Sequence, residues 1–408
     1  MTSGTQQEPT EKLYWADPFA TSFDATVARL AEHGGKASVV LEKTLFYPEA
    51  GGQLGDTGTL VVGGRSLAIV DTQIDEAGVI HHVLPEAIVA DTLDGPAHGT
   101  LDRERRRDQM AQHTAQHALS RALLDVARAP TVSARLGQTS STIDLDVSAV
   151  ADADLARAED LVNAIAMEDV PVRALFPTAD ELRAMDLRRT PKVTTNVRVI
   201  EIDGFDRTPC GGTHCVRSGQ VGSVRFVGVE RYKGKIRLTF QAGRRALDDA
   251  RAQHRVLAEL ARGFSCGVPD VPAAIAKLRG ELEAARDAMG HARGELVGLL
   301  ADEILARTPR DPGGTTVVCI RRERGDAGEI RALAARLARR DDVVAIVWAP
   351  DGDACRVSAQ RGGAARFDCG AWLKAVAESR GARGGGRPER AEGRVPGTEI
   401  SAPPTPAP

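Results

Sequence analysis

The chain has 408 residues, 42% of them hydrophobic, which is enough for two or three globular domains with buried cores. With 53 basic and 56 acidic residues the formal net charge is −3, which excludes a diffuse polycation, so any contact with nucleic acid must be local. The chain start has no apolar core, no segment approaches the ~18 apolar residues of a membrane span, and the six cysteines are too unevenly placed for a disulfide framework. We therefore expect a cytoplasmic protein with no membrane segment.

Residues 1–95 have the pattern of a small β-rich, barrel-like module. Short stretches of alternating apolar and polar residues run through 36–83, and glycine-rich turns separate them. This alternation is typical of antiparallel strands that bury one face.

Residues 96–247 show both helical and strand patterns. Helical spacing of apolar residues predicts a long helix over 102–127 and a second helix over 154–168. Strands are predicted at 141–145, 193–202, 222–228 and 235–242. We therefore expect an α+β domain in this part of the chain.

Residues 248–309 have helical composition and predict a helical connector, interrupted near Gly263, Pro269 and Pro272. Its apolar positions either pack against neighbouring parts of the same chain or form a dimerising coiled coil. These positions are Leu257, Leu260, Ile275, Leu278 and Leu282.

Residues 310–394 predict a separate small α/β domain. Strand patterns at 315–320, 343–348 and 356–360 alternate with a helical pattern at 330–340. The end of the chain, 381–408, is rich in Gly, Arg, Pro and Ala. We expect it to be largely unstructured apart from 384–387, with 395–408 as a disordered tail. The overall fold class is α+β.

Two groups of residues have metal-ligating side chains at informative spacings. His113 and His117 lie four residues apart on the predicted helix, so both imidazoles face the same side. Cys210 and His214 flank two glycines, whose backbone freedom lets a thiolate and an imidazole converge. Three nitrogen donors and one sulfur donor favour one zinc ion per chain over magnesium or calcium.

The role of this zinc stays open at the level of sequence. Four protein ligands are typical of a closed structural site, whereas catalytic zinc keeps one position for water or substrate. Catalysis would require a labile ligand, with Cys210 or His214 as the candidate, or expansion to five coordination. Cys215 is predicted to be a small buried side chain.

Four stretches together resemble a known family. Over about residues 12–247 the chain is similar to alanyl-tRNA editing proteins of the AlaX type, the free-standing relatives of the editing domain of alanyl-tRNA synthetase. The stretches are TLFYPEAGGQ at 44–53 with DTG at 56–58, DRERR at 102–106 with HTAQH at 113–117, FDRTPCGGTH at 205–214, and GQVG at 219–222 with YKG at 232–234. The family's zinc ligands fall on the same four residues, and its Gly-Gly-Gln segment lies by the substrate pocket. The resemblance thus makes 96–247 a zinc-dependent editing domain.

The C-terminal part resembles, more loosely, the RNA-binding domain shared by alanyl-tRNA synthetases and DHH-type phosphoesterases. The likeness rests on GGGRP at 384–388 and EG at 392–393, and charged residues interrupt the usual glycine run. It implies Arg387 as a candidate tRNA contact.

The resemblance implies a zinc-dependent aminoacyl-tRNA hydrolase that acts in trans on tRNA(Ala) mischarged with serine. Glycyl-tRNA(Ala) is a candidate additional substrate. A synthetase pocket built for alanine cannot strongly reject either amino acid. Nothing in the chain resembles an aminoacylation domain that uses ATP, so we expect no charging. Thr44 and Gln53 are candidates to hydrogen-bond the seryl hydroxyl or the attacking water. Thr44 as a solvated strand hydroxyl is the alternative.

Three further residues are assigned supporting roles. Asp206 is expected to orient a ligand imidazole, with a loop cap as the alternative. Arg103 and Arg106 lead into the metal helix and are candidate contacts to acceptor-stem phosphates. Glu104 and Asp108 are interleaved with them, so a surface ion-pair face is the alternative.

Two other functions stay open. The chain could be a tRNA-binding module with a purely structural zinc, or a deacylase for another mischarged tRNA, such as a threonine-related editing activity. Mischarged tRNA(Ala) is the expected partner. A homodimer through the helical connector or the C-terminal domain is the expected assembly.

Overall fold

The computed structural model describes residues 8–85, 93–191, 193, 195–310 and 314–401. It contains both α-helices and several β-sheets, which confirms the α+β class. The chain divides into two compact units, with the boundary between Glu259 and Leu260.

The first unit begins with a seven-stranded antiparallel sheet in the order β6-β5-β9-β2-β3-β8-β7. In β2 the alternation of the sequence becomes an alternation of burial, with Phe23, Ala25 and Val27 facing the core. A two-residue parallel bridge, β1 with β4, lies beside it. The strands are β1 Glu11–Lys12, β2 Ser22–His33, β3 Lys36–Leu41, β4 Lys43–Thr44, β5 Gly58–Val62, β6 Arg65–Ile69, β7 Asp71–Ile74, β8 Ile80–Val83 and β9 Gly95–Leu101.

The long helix α1, Arg103–Ala127, follows β9 as predicted. Asp102 caps it by accepting a hydrogen bond from the Arg105 backbone N–H at 3.0 Å. Its inner side carries Met110, Leu119 and Leu123, all fully buried. Packing of this face against the surrounding sheets holds the helix in a fixed orientation.

Two small antiparallel sheets surround α1, in the orders β10-β11-β16-β15 and β12-β13-β14. The strand predicted at 193–202 is shorter than expected, since Asn196 adopts a left-handed backbone with φ of 50° and pairing begins only at Val199. The elements are β10 Thr131–Leu136, β11 Ser141–Leu145, α2 Asp152–Glu168, β12 Val172–Leu175, α3 Ala179–Ala184, β13 Val199–Ile202, β14 Asp206–Pro209, β15 Val224–Tyr232 and β16 Lys235–Ala242.

Two helices, α4 Gly243–Gly263 and α5 Val271–Arg307, form the connector, and the interruption between them falls where glycine and proline predict it. Leu257, Leu260, Leu278 and Leu282 remain exposed. Dimerisation through this surface stays a prediction. Within the described ranges, no helix combines the length and the apolar character needed to cross a membrane.

The second unit contains a four-stranded sheet in the order β17-β18-β19-β20, in which β17 runs parallel to β18 and the other pairs are antiparallel. Helix α6 packs through Ile330 and Leu333 on one group of core residues, and α7 packs through Leu373 on another. The elements are β17 Thr316–Arg321, α6 Ala327–Leu337, β18 Val343–Asp351, β19 Ala354–Arg361, α7 Cys369–Glu378 and β20 Arg390–Pro396.

The expectation of a largely unstructured end over 381–408 is wrong for residues 390–396. They form β20, which pairs with β19 along its whole length. Ala391 and Val395 are buried, and Ile400 also packs into this core. These few apolar residues are enough to dock the segment on an available sheet edge. Residues 402–408 lie outside the described part of the chain.

Candidate metal centre

The four predicted metal ligands meet at one point in the first unit. Helix α1 presents His113 and His117 from successive turns, and the loop after β14 brings Cys210 and His214 to them. The Cys210 Sγ atom lies 3.5 Å from Nε2 of His113 and 3.4 Å from Nε2 of His214. One donor atom from each of the four side chains lies within 4.8 Å of the others.

The loop that carries Cys210 and His214 is held by its carbonyl groups. Arg198 donates from Nη1 to the carbonyl oxygens of Cys210 at 2.9 Å and Gly212 at 2.8 Å. Trp15 donates from its indole N–H to the carbonyl of Gly211 at 2.9 Å. A Cβ at Gly212 would lie 2.3 Å from Cε1 of His113, so only glycine lets the loop approach this closely.

The donor set fits a metal ion. Metal distances of about 2.1 Å to nitrogen and 2.3 Å to sulfur place tetrahedral donors about 3.6 Å apart, close to the sulfur to nitrogen separations seen here. Burial lowers the pKa of His113 to about 3 and lowers the pKa of His117 and of His214 well below the usual range, so all three imidazoles are uncharged donors. Burial raises the pKa of the Cys210 thiol. A bound cation would compensate that cost, because it stabilises the thiolate.

Gln53 is buried against His113 and is not part of the lining of the cavity beside the cluster, and its expected role as a direct substrate contact stays a prediction. Its Oε1 accepts from Nδ1 of His113 at 2.7 Å and from the backbone N–H of Thr213 at 3.1 Å. Its Nε2 donates to the Thr213 hydroxyl at 2.7 Å. The side chain is fully buried, and this network assigns the proton of His113 to Nδ1 and leaves Nε2 as the donor atom.

Thr44 is also placed away from the cavity beside the metal cluster, so neither a substrate contact nor a solvated hydroxyl describes it. Its side chain is fully buried in the β-rich sheet region. The hydroxyl lies 2.8 Å from Nε2 of His82 and accepts from the backbone N–H of Phe46 at 3.0 Å. Both polar functions of the hydroxyl are therefore used within the fold.

Asp206 lies near a ligand imidazole, as expected, but at longer range. Its Oδ2 is 3.7 Å from Nδ1 of His117, too far for a hydrogen bond. The carboxylate instead accepts from Nε of Arg188 at 2.8 Å and from the Thr208 hydroxyl at 2.8 Å. Nδ1 of His117 is buried and has no hydrogen-bond partner among the described residues.

The prediction that Arg106 contacts tRNA is wrong. Arg106 is buried and its Nε lies 3.1 and 3.2 Å from the two carboxylate oxygens of Asp56. It also donates to the carbonyl of Pro18. Residue 106 lies one turn before Met110 and two turns before His113, so the helical spacing itself marks the inner face. Arg103 and Arg387 are exposed, and their contact with tRNA stays a prediction.

A cavity of about 300 Å³ reaches the cluster at His113 and Cys210, which both line it. His117 and His214 are not part of its lining. Sequence reasoning missed several other residues of the wall, although Gln116 stands inside the HTAQH stretch three residues after His113. These residues are Trp15, Tyr47, Gln116, Ser133, Arg188 and Arg189.

Positive charge surrounds the cluster. Arg198 is only 6% exposed and, in the described part of the chain, donates to backbone carbonyl groups and has no carboxylate partner. Burial lowers the pKa of its guanidinium. Its Cζ lies 5.9 Å from the Trp15 ring, and Nζ of Lys12 lies 4.7 Å from the same ring. These side chains favour an anionic or electron-rich ligand.

Three segments of the chain match protein-family models. Residues 14–92 match tRNA synthetases class II (A), residues 197–239 match the threonyl and alanyl tRNA synthetase second additional domain, and residues 314–402 match the DHHA1 domain. The first match differs from our expectation, because it relates the β-rich module to a class II synthetase model.

Individual relatives agree with these matches. An alanine–tRNA ligase of Methanothrix thermoacetophila is 29% identical over 401 residues, which are 95% of this chain and 43% of the relative. An alanine–tRNA ligase of Halorubrum lacusprofundi is 32% identical over 341 residues, 80% of this chain and 35% of the relative. The chain thus spans less than half the length of these curated relatives.

Among solved structures, the C-Ala domain from Aquifex aeolicus alanyl-tRNA synthetase is 21% identical and covers 21% of this chain and 81% of that chain, with a TM-score of 0.20. A score this low carries no argument about the fold. Together, these comparisons show that the chain is similar to alanine–tRNA ligases over most of its own length, and that segments of it match the threonyl and alanyl tRNA synthetase second additional domain and the DHHA1 domain.

Proposed function

We propose that this chain is a trans-editing hydrolase that cleaves the ester joining serine, and also glycine, to the terminal adenosine of mischarged tRNA(Ala). The observation that carries the proposal is the position of His113 and Cys210 on a cavity wall, while His117 and His214 lie outside the lining. One side of the metal cluster therefore faces a space that a small aminoacyl group can enter, as catalysis requires and a closed structural site does not.

The chemistry of the site suits ester hydrolysis. Zinc held by His113, His117, Cys210 and His214 would act as a Lewis acid toward the ester carbonyl or lower the pKa of an attacking water. Gln53 keeps the Nδ1 proton of His113 in place and so keeps Nε2 available as a ligand atom. The guanidinium of Arg198, which has no carboxylate partner among the described residues, contributes a positive potential that favours negative charge developing on the carbonyl oxygen.

The rim of the cavity suits a nucleotide. Trp15 lies 6.2 Å from Phe176 between ring centroids, and Phe176 is 58% exposed. Aromatic faces of this kind stack with a splayed terminal base, and Lys12 and Arg189 can contact phosphates. The relation to alanine–tRNA ligases supports tRNA(Ala) as the RNA partner.

The deciding experiment incubates zinc-loaded protein with seryl-, glycyl- and alanyl-tRNA(Ala), and with threonyl esters on matched tRNA, and follows ester loss. We expect the seryl and glycyl esters to disappear, the alanyl ester to persist, and a chelator to stop the reaction. Preference for the threonyl ester would assign another editing activity. Formation of alanyl-tRNA from alanine and ATP would contradict the proposal.

A substitution at one of the four predicted ligands separates a catalytic role of the metal ion from a structural one. His117→Ala should abolish ester loss while the protein remains folded by circular dichroism and still binds tRNA. If wild-type protein with stoichiometric zinc cleaves no ester but binds tRNA, a binding module with structural zinc becomes the better account.

A further inference from the structure

Gln116 occupies a central position on the cavity wall. It follows His113 by three residues on α1, so its side chain lies on the neighbouring turn of the same helix face. It lines the cavity together with His113 and Cys210 and is 8% exposed. Any group that enters the cavity toward the metal cluster passes close to this amide.

Two hydroxyl groups fix the orientation of the amide. Nε2 of Gln116 donates to the Ser120 hydroxyl at 2.7 Å, and the Thr131 hydroxyl donates to the same oxygen at 2.8 Å. Oε1 of Gln116 has no hydrogen-bond partner among the residues that the structure describes. This oxygen keeps some contact with solvent, because the fully buried side-chain atoms that lack a partner do not include it. The acceptor oxygen is therefore held in place and not sealed from solvent, on a side chain that lines the cavity.

Three other polar side chains of the wall are already engaged. Ser133 donates to Oδ2 of Asp144 at 2.7 Å, and the Tyr47 hydroxyl donates to the carbonyl of Ala50 at 3.0 Å. Arg188 is paired with Asp206. The protons of both hydroxyls are therefore already used within the fold, whereas Gln116 supplies an oriented amide oxygen, a stronger acceptor than a hydroxyl that already donates.

We infer that Gln116 is a specificity-determining residue that accepts a hydrogen bond from the side-chain hydroxyl of the aminoacyl group. This inference rests on the proposed function and makes the seryl ester a better substrate than the glycyl ester, which lacks the hydroxyl. An amino acid that lacks the hydroxyl leaves Oε1 without a partner once the cavity is filled, and an unpaired buried acceptor disfavours its binding. Ser120 and Thr131 act as positioning residues, since they hold the amide.

The test compares Gln116→Met with wild type, because methionine keeps the length and the helix propensity of glutamine and removes the acceptor. We expect kcat/KM for the seryl ester, normalised to bound zinc, to fall about 10-fold, with the glycyl ester nearly unchanged. Ser120→Ala should lower the ratio of kcat/KM for the seryl ester to kcat/KM for the glycyl ester in the same way, but by a smaller factor. Gln253→Met, the same change at an exposed position of α4, should leave both esters unchanged.

A binding measurement gives a second readout that does not depend on turnover. Analogues in which an amide joins serine or glycine to 3′-amino-3′-deoxyadenosine are titrated calorimetrically into wild type and Gln116→Met. The inference predicts weaker binding of the seryl analogue alone.

Three outcomes are distinguishable. An equal loss for seryl and glycyl compounds would assign Gln116 to a part that both share, such as the ammonium group, and would overturn the inference. Unchanged values for both the seryl and the glycyl compounds would also overturn it. If wild-type protein cleaves neither ester, the proposed function itself fails and the inference fails with it.

Discussion

Oε1 of Gln53 lies 2.7 Å from Nδ1 of His113, so a residue of the glycine-rich N-terminal loop fixes the tautomer of a predicted metal ligand on α1. The same oxygen accepts from the backbone N–H of Thr213 in the loop that supplies the other two ligands. One buried amide thereby connects three segments that are distant in sequence.

Replacing Gln53 should weaken the metal site without unfolding the protein. Gln53→Met removes the acceptor for the Nδ1 proton of His113, and such a loss typically costs 10–100-fold in metal affinity. Competition between the protein and a chromophoric chelator measures this affinity. Gln73→Met in the same module is the matched control and should bind zinc like wild type; equal affinities for both variants would contradict the role given to Gln53.

The same substitution should affect zinc affinity strongly at Gly212 and hardly at all at its neighbour Gly211. A Cβ at Gly212 would lie 2.3 Å from the His113 ring, whereas a Cβ at Gly211 has no atom within 4 Å. Gly212→Ala should therefore displace His113 or the loop and lower zinc affinity at least about 10-fold. Gly211→Ala should have little effect. Zinc content after dialysis checks both, and retention of zinc by Gly212→Ala would count against the loop geometry described here.

Two of the arginines at the start of α1, Arg103 and Arg106, should differ sharply in their effect on stability. Arg106→Met leaves the buried carboxylate of Asp56 unpaired, and breaking a buried pair from one side costs about 3 to 5 kcal/mol. Arg103→Met is a surface change and should alter the free energy of unfolding by less than about 0.5 kcal/mol. Urea denaturation measures both, and similar costs for the two variants would refute the distinction.

Acidification should destabilise the first unit through His82. Burial lowers the pKa of His82 to about 4 in the folded state, against 6.5 for an unperturbed histidine. As the pH falls, His82 therefore takes up a proton in the unfolded chain before it does so in the folded one. Its contribution to the free energy of unfolding, about 3 kcal/mol, is fully present above pH 6.5 and is lost as the pH falls toward 4.

The variant His82→Gln isolates this contribution from those of the other buried histidines. Between pH 7.5 and pH 4 the free energy of unfolding of this variant should fall by about 3 kcal/mol less than that of wild type, as measured by urea unfolding at a series of pH values. A parallel pH dependence in the two proteins would show that His82 does not carry this contribution.

Much of the fold and the four metal ligands follow from local sequence patterns. Helical spacing predicts α1 over 102–127, and the structure has Arg103–Ala127. The spacing of His113 and His117 places both on one helix face for the same reason, since neighbours at i and i+4 are set by the helix itself. Cys210 and His214 stand out because two glycines between them permit a close turn.

The sequence by itself determined which chemistry is present, namely three imidazoles and one thiolate at ligand spacings, because side-chain type and local period need no knowledge of distant contacts. Tertiary structure decided where the other polar groups point. Gln53 turns toward His113, Thr44 toward His82, and Arg106 toward Asp56, while Gln116 lines the cavity. Most buried polar groups are hydrogen-bonded, and the partners of Gln53, Thr44 and Arg106 lie 38 to 60 residues away, where only the packed fold brings them together.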